Sequence, residues 1–171
     1  MVGLRSATPG DAHAIATVHV ASWRVAYRGL LSDGVLDGLS VADRAGLWSD
    51  RLQAAAPRTH TLLVVDGAAV LGFASTGPAR DTDDATAGEL YAIYLDPGAW
   101  DRGHGARLHA GALDRLRLDG FTHARLWVLD GNERALAFYR RQGWADTGET
   151  KLDRDLGGSV ALRERRLHRT I

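Results

Sequence analysis

The chain has 171 residues, of which 45% are apolar, 25% are charged and only four are proline. This is the profile of one ordered globular domain, large enough to bury roughly 70% of its unfolded surface without covalent staples. A formal net charge of zero leaves no overall attraction for a polyanion or an anionic membrane, and the absence of cysteine excludes disulfides, thiolate metal sites and a cysteine nucleophile.

Residues 2–7 alternate and predict a short strand, and Thr8-Pro9-Gly10-Asp11 supplies a turn and a helix cap. Apolar positions Ala14, Ile15, Val18, Ala21, Val25 and Ala26 recur at threes and fours and predict a helix over Asp11–Arg28, closed by Gly29. Ser32–Leu39 and Val41–Ala55 read as two further helical pieces, the second with Leu47, Trp48 and Leu52 on one face. At Thr59 the character changes: His60–Val65 is rich in β-formers, Asp66-Gly67 is a hairpin turn and Ala69–Thr76 its partner strand.

Gly77–Gly88, with Asp81, Asp83 and Asp84, is polar and predicts a mobile loop ahead of a strand at Glu89–Leu95. Gly103–Leu118 is helical by spacing and stops at Gly120, Ala124–Val128 is a strand, and Asn132–Gln142 is a helix stopped by Gly143. Trp144–Thr150 and Ser159–Leu167 complete the strands. The expected fold is a single α+β domain over residues 1–171, a mixed sheet with helices on its faces and neither repeat nor linker. The start of the chain lacks a basic-then-apolar signal, no apolar run approaches a membrane span, and the expected location is the cytoplasm. The seven His residues show no metal spacing, because His104 and His109 are five apart without an acidic partner, so no metal is expected.

The most informative segment is Arg102-Gly103-His104-Gly105-Ala106, between the strand ending at Leu95-Asp96-Pro97 and the amphipathic helix after it. Amides at a helix start have no intrahelical acceptor and lie at the positive end of the helix dipole, while glycine lets an anion approach the backbone. A diphosphate meets that demand, although a Gly-x-Gly alone is equally a tight turn. The loop lacks the Gly-Lys-Ser or Gly-Lys-Thr ending of a P-loop, and Leu108 breaks the dinucleotide spacing Gly-x-Gly-x-x-Gly.

Three blocks together resemble the GCN5-related N-acetyltransferase (GNAT) family. Leu90-Tyr91-Ala92-Ile93-Tyr94-Leu95-Asp96-Pro97 is similar to its fourth strand, and Arg102–Ala106 to its pyrophosphate loop. The run from Asn132 to Trp144 resembles its Asn-x-x-Ala-x-x-Phe-Tyr-x-x-x-Gly-Phe block. Ala21-Ser22-Trp23-Arg24-Val25-Ala26-Tyr27-Arg28-Gly29-Leu30-Leu31 resembles the first helix of many small bacterial members. Trp100 departs from the pattern by standing where the family usually has Gln or Arg.

The resemblance implies an acetyl-CoA-dependent N-acetyltransferase with a GNAT-like, mostly antiparallel sheet of about seven strands. It implies that Arg102, Gly103, His104, Gly105 and Ala106 hold the pyrophosphate. The backbone of Ile93, Tyr94 and Leu95 would pair with the pantetheine arm, an amide near Ile93 polarising the thioester carbonyl. Tyr139 would donate to the departing thiolate, the alternative being that it packs with Phe138. Glu89 would accept the amine proton through water, the alternative being a solvated carboxylate at a strand end. Asn132 would bond the pantetheine or a water, cap its helix, or both. Arg107 and the pair Arg140-Arg141 would either meet the 3′-phosphate of CoA or stay solvated.

Trp23 and Tyr27, four apart on the first helix, either wall an acceptor pocket or belong to the core. The expected partner is a small-molecule primary amine, a metabolite or an antibiotic, with no nucleic acid and no membrane; a homodimer is compatible with the resemblance. Two other readings stay open: acetylation of a protein N-terminus or lysine, and a non-catalytic acyl-CoA-binding sensor.

Overall fold

The computed structural model describes residues 1–54, 56–153 and 161–171, apart from the side chain of Asp153. In chain order the elements are β1 (Val2–Ser6), α1 (Ala12–Ala26), α2 (Asp33–Asp37), α3 (Val41–Ala54), β2 (His60–Asp66), β3 (Ala69–Pro78) and β4 (Ala87–Leu95). They are followed by α4 (His104–Leu118), β5 (His123–Leu129), α5 (Glu133–Arg141), β6 (Ala145–Asp153) and β7 (Leu162–Thr170). The strands form one seven-stranded sheet in the order β1-β2-β3-β4-β5-β7-β6. Only β4 and β5 pair in parallel. The expected α+β architecture, mostly antiparallel with helices on both faces, is therefore the one observed.

Apolar alternation along the strands builds two cores, one on each face of the sheet. Leu108, Ala112, Leu113 and Leu116 of α4 and Leu136 of α5 pack on Leu62, Val64, Ala74, Leu90 and Leu126. Ile15, Ala16 and Val18 of α1 and Trp48 of α3 pack on Leu63 and Phe73. Each core also holds a buried histidine that accepts from an indole: Trp48 Nε1 donates to His19 Nδ1 at 3.2 Å, and Trp144 Nε1 to His109 Nε2 at 2.8 Å. Both imidazoles are kept neutral by burial, pushed down to about 3 for His19 and about 4 for His109.

Several boundaries differ from the sequence expectation. The acidic loop is shorter than Gly77–Gly88, since β3 continues to Pro78 and β4 begins at Ala87, pairing Gly77 with Glu89 and Pro78 with Gly88. Its acids are tied down as well: Asp81 accepts from Trp127 Nε1 at 3.2 Å and pairs with Arg125 at 3.4 Å. The first helix stops at Ala26, two residues early, with Tyr27 as its C-cap. The last strand runs on to Thr170 because its ladder to β5 continues to His123↔Thr170, with β6 pairing as far as His168, and these ladders override its polar composition. The expected helix end at Ala55 and the expected strand start at Ser159 lie outside the described residues.

Two irregularities in β4 position the site. Its parallel pairing with β5 ends at Glu89↔Arg125, although β4 continues to Leu95 and β5 to Leu129, so the strands part. Against β3 the register shifts between Ser75↔Ala92 and Thr76↔Leu90, leaving Tyr91 as an extra residue, a bulge that bends β4 away from its neighbour.

Candidate active site

Where β4 and β5 part, a cleft of about 1360 Å³ opens through the middle of the molecule. On one side of it lies the start of α4. Gly103 is the N-cap with φ of +79°, and the first helical bond of that turn runs from the Arg107 amide to the Gly103 carbonyl at 3.1 Å. The amides of His104, Gly105 and Ala106 are thus left without a helical acceptor. Asp101 also sits in the left-handed region, φ +59°, and is anchored by its 2.9 Å ion pair with Arg134. A Cβ on Gly105 would meet Leu95 and Phe138 at an ordinary 3.5 Å, so packing alone does not demand glycine there. What its lack of a side chain provides is an open approach to the amides from the cleft, which Gly103, Gly105 and Ala106 all line. Arg102 itself is exposed.

The departure at Trp100 has a structural role. Its Nε1 donates to the Leu95 carbonyl at 3.1 Å, and the Arg134 guanidinium stacks 4.2 Å above its ring. The indole thereby fastens the loop to the end of β4.

Backbone alternation decides which groups of β4 face the gap. The Asp96 amide donates to Leu71 on β3 at 2.8 Å, so residues in step with it, including Tyr94, turn their amides toward β3. Those out of step, Ile93 and Leu95, face the space that β5 vacates. Tyr94 therefore differs from expectation: its backbone belongs to the β3 ladder, and its phenol lies on the α1 face, bonded to the Tyr27 hydroxyl at 3.2 Å and stacked on His19 at 4.8 Å.

From α5, Leu136 and Tyr139 face inward, one helical turn apart. Tyr139 lines the cleft with 8% of its surface exposed, and burial, with the nearby Tyr94 phenol, pushes its hydroxyl well up. It also packs edge-on to Phe138 at 5.4 Å, so the packing contact is present in a residue that borders the cleft. Asn132 likewise does two things: Oδ1 caps α5 by accepting from the Ala135 amide at 3.2 Å, and the residue lines the cleft. Arg107 is committed elsewhere, to the Val2 carbonyl at 2.8 Å.

On the α1 face, Trp23 and Tyr27 are 6% and 8% exposed and their rings meet edge-on at 4.8 Å, so they serve the core and wall the cleft at once. Glu89 is not a solvated carboxylate; it is 2% exposed and accepts from the Arg80 amide at 3.0 Å and the Arg80 guanidinium at 2.5 Å. Sequence reasoning missed Arg80, and also Arg44, Arg51, Lys151 and Glu164, which line the same cleft. Ionic partners distant in sequence give no periodic signal. Among the described residues no cluster of potential metal ligands occurs, and no helix is long and apolar enough to cross a membrane.

Residues 31–144 match the acetyltransferase (GNAT) family. Over 140 residues the chain is 33% identical to an uncharacterised N-acetyltransferase, YuaI, of Bacillus subtilis, covering 82% of this chain and 78% of that one. A mycothiol acetyltransferase of Beutenbergia cavernae is 44% identical over 61 residues, 36% of this chain and only 20% of its own length. Among solved structures, the PaiA N-acetyltransferase of Thermoplasma acidophilum, in complex with coenzyme A, superposes with a TM-score of 0.75 at 18% identity over 100% of this chain and 99% of that one. A GCN5-related N-acetyltransferase from Rhodopseudomonas palustris gives 0.78 at 20% identity, covering 99% and 95%. The chain thus belongs to the acetyltransferase (GNAT) family and is an acyltransferase that uses acetyl-CoA.

Proposed function

We propose that this protein transfers an acetyl group from acetyl-CoA directly to the primary amine of a small molecule. The observation that carries this reading is convergence on one cleft: the free amides at the α4 start, the backbone of Ile93 and Leu95, and the Tyr139 phenol all border it. These residues fit acetyl-CoA by their chemistry. Three unpartnered amides at the positive end of a 15-residue helix suit a pyrophosphate, and the unpaired edge of β4 suits the amide-bearing pantetheine arm. Because the Leu95 carbonyl is taken by Trp100, Ile93 carries most of that edge.

Bound acetyl-CoA supplies the activated thioester, which the amine attacks at its carbonyl carbon while the carbon–sulfur bond breaks. The Ile93 amide, turned toward the gap, is placed to donate to the carbonyl oxygen as it gains charge, a type of contribution worth about 3 kcal/mol per donor. Tyr139, kept protonated by burial, donates to the sulfur. Asn132 steadies the arm beside the start of α5. Glu89, on the α1 face of β4, accepts the proton lost by the amine through water, with Arg80 holding its carboxylate in place.

Trp23 and Tyr27 wall the acceptor arm of the cleft, with α3 closing over them through Arg44 and Trp48. An aromatic arm walled by α1 and α3 favours a small molecule over an extended peptide. An assay of thiol release across amines and short peptides tests this, and turnover confined to peptides would replace the small-molecule reading. In the same assay Glu89→Gln is expected to lower kcat about 100-fold at unchanged acetyl-CoA affinity. Wild-type turnover by that variant would remove Glu89 from the proton path.

A further inference from the structure

We propose that the acceptor carries an oxyanion group, a carboxylate or a phosphonate, in addition to its amine, and that Arg44 and Arg51 of α3 hold it against the indoles of Trp23 and Trp48. This rests on the cleft being the acceptor site and names the class of molecule it takes.

The charges of the cleft are unequally matched. Its acids each have a basic partner: Glu89 has Arg80 at 2.5 Å, Asp81 has Arg125 at 3.4 Å, Asp101 has Arg134 at 2.9 Å, and Glu164 has Lys151 at 3.2 Å. Arg44 and Arg51 have no ion pair and no side-chain hydrogen bond among the described residues. Their guanidinium carbons stand 5.2 Å from the Trp23 ring and 5.3 Å from the Trp48 ring. Arg44, Trp48 and Arg51 follow at i, i+4 and i+7, so a single face of α3 presents both cations to the cleft they line. Arg141, also in the cleft, ends the helix whose Phe138 lies beside Gly105, at the opposite, pyrophosphate-loop mouth.

A second, independent observation points to the same corner. Since Trp48 Nε1–H donates to His19 Nδ1, the neutral His19 ring carries its hydrogen on Nε2, and that buried donor has no acceptor. Trp23 Nε1–H, near the Tyr94 hydroxyl, also lacks an acceptor in hydrogen-bonding geometry. Both residues are more than nine-tenths buried, where unmatched donors are rare. Two orphan N–H groups beneath two uncompensated guanidinium groups are complementary to a group with several anionic oxygens. Glu89 of β4 and Glu164 of β7, by contrast, belong to the sheet wall of the cleft, the side assigned to the amine. A bifunctional acceptor spans the two walls, with its acid on α3 and its amine toward Glu89 and the gap.

The test uses the full chain with acetyl-CoA, reading thiol release for matched sets: α-amino acids, their carboxamides, the corresponding decarboxylated amines, and 2-aminoethylphosphonate. The expected result is a kcat/KM at least 100-fold higher for members with an oxyanion, the carboxylate and phosphonate arms deciding which anion is preferred. Arg44→Gln and Arg51→Gln are each expected to raise the KM of the anionic amine about tenfold or more, to erase its advantage over the carboxamide, and to leave the KM of acetyl-CoA unchanged. Equal or better turnover of the uncharged partners, or a preference that survives both substitutions, would overturn the proposal.

If no amine turns over, the acetyl-transfer reading fails and the subsite is judged by binding. Quenching of tryptophan fluorescence by the acidic amines, weakened in the Arg44→Gln protein, supports the subsite. Absence of such binding in the wild type overturns it.

Discussion

Tyr139→Phe is expected to lower kcat by about 100- to 1000-fold while leaving the affinity for acetyl-CoA within a few-fold of wild type. The substitution removes only the hydroxyl. The ring keeps its edge contacts with Phe138 at 5.4 Å and Trp144 at 6.1 Å, so the packing role of the residue is preserved. Among the described residues the hydroxyl has no hydrogen-bond partner, so its loss leaves no buried group newly unsatisfied and the melting temperature should hardly move. What disappears is a donor for the departing thiolate. Because burial raises the Tyr139 phenol, it remains protonated throughout the neutral range, and wild-type activity should show no decline from its ionisation below pH 10. A phenylalanine variant with wild-type turnover would assign Tyr139 to packing alone.

Moving from pH 7 to pH 5 is expected to destabilise the fold by about 4 kcal/mol, roughly half of it from each buried histidine. An unfolded histidine takes up a proton near pH 6.5, whereas burial, with Arg44 and Arg51 nearby for His19 and Arg169 and Arg117 for His109, pushes the folded values down to about 3 and about 4. Below pH 6.5 the unfolded chain binds protons that the folded chain refuses. Their contribution is therefore fully present above pH 6.5 and is lost progressively as pH falls toward 4. Asp11, held down by Arg5 in a 2.7 Å ion pair, adds a further loss at still lower pH. Marginal domains hold only about 5–15 kcal/mol, so the effect is large. Urea unfolding at the two pH values measures it, and His109→Gln should halve the difference. Equal stability at pH 7 and pH 5 would contradict neutral, buried imidazoles.

Legibility in the sequence followed the range of the interaction. Local signals carried α4 and α5 almost to the residue. Gly103, Gly120 and Gly143 all take positive φ at the positions where helix boundaries were expected, and Asn132 caps α5. The Asp66-Gly67 turn was equally plain, because turn chemistry is a property of two residues. The length of β7 was not legible, since Arg163, Arg165, Arg166 and Arg169 conceal a strand held by ladders on both sides. The loop at the start of α4 and Tyr139, which both border the cleft, were visible because their spacing is fixed along the chain. On the acceptor side, Trp23 and Tyr27 were marked by their spacing of four, but the charged residues were not. Tyr94 was assigned to the wrong ladder because period-two alternation through a bulge depends on where the bulge falls, and no residue type marks Tyr91 as that point. Arg44, Arg51 and the Arg80 partner of Glu89 enter the cleft by tertiary packing alone, so charge along the chain does not mark which of the 21 basic residues line it.

If the amides at the start of α4 grip the pyrophosphate of acetyl-CoA, calorimetric titration of the protein with CoA and with pantetheine will show it. Pantetheine keeps the arm and the thiol but lacks the diphosphate. Saturable binding of CoA is expected, with at least 100-fold weaker binding of pantetheine and loss of most of the difference in Gly105→Glu, whose carboxylate competes for the same amides. CoA and pantetheine binding equally well, or no CoA binding at millimolar concentration, would contradict it.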